Sequence, residues 1–222
     1  MSQHTSRHPP ETFTARSYHL VPLRMSQMCI TYTLAHHQTS SMLSPKVVRS
    51  IFDRGPLDAK NPYLDVRYPY DGHYNKLLSK AFPMIQFFSS IAFLDHNLHT
   101  MVIQLKTTPT TQCPVFILLI APDNTPVTSK DAEVAMLELL KGADAHGIKV
   151  IHGVCVYGPQ AAFYQYDRER QVVSPEPQGQ VHFDLDLATE SGARRFVEVT
   201  EHVEQMCREL VPDLELPSFY GS

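Results

Sequence analysis

The sequence predicts a single α/β domain with a mixed central sheet flanked by helices. Three observations predict it. Residues 115–121 (VFILLIA) are an unbroken apolar run of strand length, the pattern of a strand buried on both faces. Residues 128–147 follow with Ala132, Ala135, Met136, Leu139, Leu140 and Ala143 at helical spacing. Residues 149–157 are again apolar on both faces apart from His152. A strand, a helix and a strand in that order form a crossover unit, so the two strands are expected to run parallel with the usual right-handed connection.

The other elements follow in chain order. Ser44 before Pro45 is a helix start, and Val47, Val48 and Ile51 share one face of a short helix. Residues 53–71 are punctuated by Gly55-Pro56, Asn61-Pro62, Tyr68-Pro69 and Asp71-Gly72, which marks a turn-rich connection. A helix over 72–82 places Tyr74, Leu77, Leu78 and Ala81 on one side, and Pro83 stops it. Residues 85–94 and 100–106 read as strands, joined by an Asp95-His96-Asn97 turn. Thr128 and Asp131 form a capping box for the long helix, and Gly147 is expected to end it. After a strand at 161–166 and a Pro-rich loop at 174–179, Thr189 caps the last helix. Its stripe of Phe196, Val199, Val203, Met206 and Leu210 docks on the sheet, while Arg194, Glu198, Glu201 and Glu204 face water. The arrangement is helix, three strands, helix, two strands, loop, helix.

These elements set the boundaries: a flexible arm over 1–50, rich in Ser, Thr, His, Pro and Gln, a domain over 51–211, and a tail over 212–222. A formal charge of -4 argues against a general nucleic-acid or membrane-surface binder, which is normally basic. No apolar run approaches the roughly 18 residues that span a bilayer. The N-terminus has no continuous apolar signal core, and Pro9, Pro10 and Pro22 interrupt any presequence helix. Cys29, Cys113, Cys155 and Cys207 are widely spaced, the pattern of reduced thiols in an intracellular protein, cytoplasmic or nuclear.

Signatures of phosphate loops, dinucleotide folds, serine hydrolases and zinc sites are absent. Asp95, His96 and His99 have the residue types of a metal cluster but lack a third distant ligand, so a polar turn is the expectation. His152 reads as a hydrogen-bonded core histidine. Asp184, Asp186 and Glu190 read as a solvated acidic face ahead of a helix.

Five segments carry a family resemblance: YNKLLSKAFP (74–83), PVFILLIAPD (114–123), the amphipathic helix that follows, IHGVCVYGPQAAFYQYD (151–167) and FDLDLATESGARRFVEVTEHVEQMC (183–207). Over about two-thirds of its length the chain resembles a family of uncharacterised basidiomycete fungal proteins with a PD-(D/E)XK nuclease-like core. The resemblance implies a restriction-endonuclease-like α-β-β-β-α-β core. It also implies an Asp and a Glu that hold Mg²⁺, and a Lys that activates the attacking water.

Aligned on the shared Pro-Val-Phe-Ile start and on Pro122, the Glu position is Leu119 and the Lys position is Ala121. The Asp position falls near Leu98 or His99. An apolar strand cannot hold a divalent cation, so the expectation is a catalytically degenerate domain, without cofactor, that acts as a binding, interaction or accessory protein of unknown role, with a protein as one candidate partner. Nucleic acid is suggested only by the fold, and a membrane not at all. An alternative is a migrated Mg²⁺ site using Asp95, Gln104, Lys106 and Asp123, which requires these groups to converge within about 4–6 Å. Another is an accessory protein of a mobile element or biosynthetic gene cluster.

Overall fold

The computed structural model describes residues 43–53, 55–56, 69–82, 87–93, 98–107, 111–122, 129–143, 147–179 and 181–211. Expectations for most of the arm, the tail, Cys29, Asp95, His96, Asp123 and the Thr128 cap lie outside these residues.

Helix α1 (Pro45–Phe52) begins where the sequence places it. The Ser44 hydroxyl accepts from the Val47 amide at 3.3 Å, which satisfies one of the free donors of the first turn. Helix α2 (Asp71–Ala81) buries Tyr74, Leu77, Leu78 and Ala81 as the spacing requires, and His73 beside them. Strands β1 (Phe87–Phe93), β2 (His99–Lys106) and β3 (Gln112–Ile120) form an antiparallel meander. Helix α3 (Ser129–Gly142) then carries the chain to β4 (Val150–Tyr157), which pairs parallel to β3 with Leu119 opposite Cys155.

A tight hairpin returns the chain antiparallel in β5 (Gln160–Asp167). Gly158 makes that turn with φ of 55°, a backbone region that side-chain-bearing residues avoid. Two short strands complete the sheet: β6 (Val172–Ser174), and β7 (Leu185–Asp186), which also pairs with β5. The strand order is β1-β2-β3-β4-β5-β6, mixed in direction, with β7 off that path. Helix α4 (Glu190–Leu210) is the last element among the described residues, its first turn capped by Thr189.

The two faces of the sheet carry different helices. The space beside Gly153 is filled by Met136 and Leu140 of α3. Adjacent strand residues point to opposite faces, so His152 and its cross-strand neighbour Phe116 point the other way. There Phe116 meets Phe196 of α4 and Phe82 at the end of α2. Helix α1 packs on α2 and α4. Among the described residues, no helix is long and apolar enough to cross a membrane.

Four expectations need correction. Helix α3 stops at Gly142, short of Gly147, which instead takes a left-handed turn before β4. Strand β3 begins at Gln112, earlier than its apolar run, because Gln112 and Cys113 pair with Lys106 and Leu105. Ser174, read as the start of the Pro-rich loop, and residues 185–186, read as loop ahead of the last helix, are held in the sheet by β5, the first within a strand over 172–174 that the sequence did not suggest. Finally, Glu204 leaves only 14% of its side chain exposed, because the buried stripe of α4 is wider than expected and includes Val197, Thr200 and Cys207.

Candidate functional site

The positions where the resemblance puts a metal are closed. Leu119 lies between Thr100 on β2 and Cys155 on β4. All three point toward α3, where the Cys155 thiol donates to the Ala132 carbonyl at 3.8 Å. Leu119 is 1% exposed and Ala121 is 9% exposed. Burial pushes the Cys155 thiol well above its usual range, with the Glu133 carboxylate adding to the shift. Beside Leu119 this face offers hydrocarbon, a protonated thiol and the single Thr100 hydroxyl, which falls short of the oxygen shell that Mg²⁺ requires.

Of the migrated-site candidates, Gln104 and Lys106 lie near one end of β2. Gln104 is half-buried opposite Pro114, and Lys106 is exposed at the strand end opposite Gln112. A register shift between Ile103 and Gln104 interrupts the ladder there. The other end of β2 is His99, paired with Ile120. At about 3.3 Å per residue, His99 and Lys106 lie roughly 23 Å apart. Asp95 precedes the His99 end in sequence and Asp123 follows β3 beyond Ile120, but both lie outside the described residues. Among the described residues, no three His, Cys, Asp or Glu side chains converge as a metal site.

His99 corrects the expectation of a polar turn. It is the first residue of β2 and is buried, and its Nδ1 lies 2.8 Å from Oδ2 of Asp71 at the start of α2. The pair sits beside the C-terminal ends of the parallel strands β3 and β4, the usual place for ligand chemistry in α/β sheets. The Tyr74 hydroxyl closes the same end by donating to the Gly158 carbonyl. His73 stacks on Phe52 with ring centroids 5.7 Å apart. Burial lowers its pKa; a backbone hydrogen bond with Gly55 opposes this and Lys76 reinforces it. A carboxylate fixing an imidazole is the orienting half of an acid–base pair. Here the imidazole is 5% exposed and the pair joins α2 to the sheet, which is a structural use of the same chemistry.

The expected core histidine on β4 has its partner. His152 Nε2 lies 2.9 Å from His202 Nδ1 on α4. Burial, followed by the neighbouring His202 and Arg195, depresses the His152 pKa to about 3, so it stays neutral. The acids before α4 are also engaged. Asp186 accepts from the Ala188 amide at 2.8 Å and from Gln160 Nε2 at 3.0 Å. Glu190 meets Arg49 at 2.7 Å and Arg194 at 3.3 Å. Asp186 and Glu190 fasten the α4 N-terminus to β5 and α1 rather than forming a free acidic face.

One feature was not singled out from the sequence. Glu133, on the buried face of α3, is 3% exposed. Its Oε1 accepts from the Tyr164 hydroxyl at 3.5 Å and from the Gln178 amide at 3.2 Å. It lines a cleft of about 320 Å³ with Ala162, Phe163, Tyr164, Gln178 and Asp184. The signal was present in the helical phase: Glu133 stands three and seven residues before Met136 and Leu140, inside the apolar stripe.

Comparison of the chain with protein-family models, with curated proteins and with solved structures finds no match.

Proposed function

We propose that this chain is a catalytically degenerate nuclease-like domain that works as a binding or interaction module. The observation that carries the reading is Leu119, 1% exposed between Thr100 and Cys155 at the position where the resemblance expects a metal-binding carboxylate. A carboxylate–metal site needs several oxygen ligands and a place for water and phosphate. The strand offers neither, and Ala121 two residues on has no amine to activate water.

Titration calorimetry with Mg²⁺ and Mn²⁺, paired with cleavage assays on DNA and RNA, tests the reading. The expected result is no metal-dependent cleavage by the pure protein. Cleavage that disappears in Lys106→Ala would replace this reading with the migrated site. Cleavage that survives Lys106→Ala would overturn both.

A further inference from the structure

The outer edge of β5 is covered in two pieces. Strand β6 pairs with Gln165, Tyr166 and Asp167, and β7 pairs with Gln160 and Ala161. Residues 162–164 between them have no partner strand on that edge among the described residues. This gap is one wall of the cleft, and the segment between β6 and β7 forms the rim with Pro175, Glu176, Gln178, His182 and Asp184. A cleft of about 320 Å³ has the size of a small-molecule site.

Its charge is one-sided. Among the described residues, Glu133, Glu176 and Asp184 line it against one cation, Arg195. Arg195 is already engaged by Glu198 at 3.3 Å and lies 5.9 Å from the centre of the Phe163 ring. Glu133 is the most buried of these groups. It is buried, and among the described residues it forms no ion pair. Among the described residues its hydrogen bonds come from two neutral donors, and both fall on Oε1. Tyr164 is a durable donor there, since burial first, then Cys155 and Glu133, push its phenol well above the usual range. A cation entering the cleft would bring the Glu133 carboxylate a countercharge in a partly dehydrated setting, where such a pair is stronger than in water.

We infer that this cleft binds a small organic cation, with a primary ammonium or guanidinium group against Glu133 and its stem along the Tyr164 ring. A divalent metal is the poorer occupant, because no three ligating side chains converge among the described residues. The inference is independent of whether the domain cleaves nucleic acid.

The test is a titration of the full chain with agmatine, followed by calorimetry and by amide chemical shifts. Agmatine is expected to bind and to shift the amides of residues 162–164 and Gln178. Glu133→Gln keeps the shape and the acceptor on Oε1 while removing the charge, and should weaken binding by at least about tenfold. Glu209→Gln, a carboxylate on exposed α4 surface, should leave binding unchanged. Three results overturn the inference: no agmatine binding up to about 10 mM, equal binding by Glu133→Gln, or shifts that map away from the β5 edge. Should Glu133→Gln fail to fold, the shift map on the native chain decides alone. Mg²⁺ that displaces agmatine and shifts the same amides would assign the cleft to a metal instead.

Discussion

His152 and His202 meet edge to face across the β4–α4 interface, with ring centroids 4.9 Å apart and planes at 77°. Only one of the two is buried, and that asymmetry gives the fold a pH dependence. The folded pKa of His152 is about 3, below the 6.5 of a free imidazole. Between those values the unfolded chain binds a proton that the folded chain does not. Stability is therefore unaffected above pH 6.5 and is lost as pH falls below it, at about 1.4 kcal/mol per pH unit. His152→Gln removes this loss. Relative to the native chain, it should gain about 2 kcal/mol on going from pH 7 to pH 5. Urea denaturation of both proteins at the two pH values measures the difference, and an unchanged difference would sink the assignment.

Glu204 works in the opposite direction. Burial raises its carboxyl to about 7, with Arg208 pulling it down and Glu201 pushing it up. Here the folded chain holds a proton that the unfolded chain has released, so stability is present at low pH and is lost as pH rises from 4.5 toward 7. Glu204→Gln should gain up to about 3 kcal/mol over the native chain on going from pH 5 to pH 8. The same denaturation series reads it, and a variant that instead loses stability at pH 8 would show that the Arg208 pair outweighs the burial cost.

These two residues also show where the sequence stops being legible. His152 stood out because it was the one polar residue in an apolar strand, and its expected hydrogen bond is present. Glu204 did not, because the visible stripe of α4 ran through Phe196, Val199 and Val203. The side contributed by Val197, Thr200 and Cys207 is set by how the helix leans on its neighbours. The parallel β3–β4 pairing was legible from the strand-helix-strand order, and α1 from Ser44-Pro45. Strands β6 and β7 were not, since they are 3 and 2 residues long and exist through pairing with β5 rather than through any local pattern. The cleft was hidden for the same reason: it is a gap between two pairings.

Two glycines mark the tightest contacts between layers, and they should respond differently to alanine. A Cβ at Gly153 would lie 2.5 Å from Met136 Sδ, the end of a flexible side chain. A Cβ at Gly192 would lie 2.1 Å from the Asp186 carbonyl oxygen, which is backbone and part of β7. Gly153→Ala should cost about 1–3 kcal/mol. Combined with Met136→Ala, the loss should be smaller than the sum of the single losses, because the shortened side chain leaves room for the new methyl. Gly192→Ala should cost more than Gly153→Ala, since only a displacement of β7 or of the α4 start relieves it. Chemical denaturation of the three single variants and the double variant tests the ranking. Strict additivity at 153 and 136 would mean that the two residues do not share one space.

Leu119 gives the sharpest separation between a degenerate site and a dormant one. If the strand has been rebuilt as core, Leu119→Ala leaves a cavity and should cost about 2–5 kcal/mol. Leu119→Glu introduces the residue type that the resemblance would place here, but sets a charge between Thr100 and Cys155 with no cation paired to it among the described residues. It should be at least as destabilising as Leu119→Ala, because a buried unpaired charge costs about 3–5 kcal/mol in addition to the lost packing. Adding Mg²⁺ should not recover the difference, since a bound metal stabilises only a folded state that already supplies its other ligands. Thermal unfolding of both variants with and without Mg²⁺ reads this directly. A Leu119→Glu protein near native stability whose midpoint rises with Mg²⁺ would mean that the remaining ligands are still in place, one substitution short of a metal site.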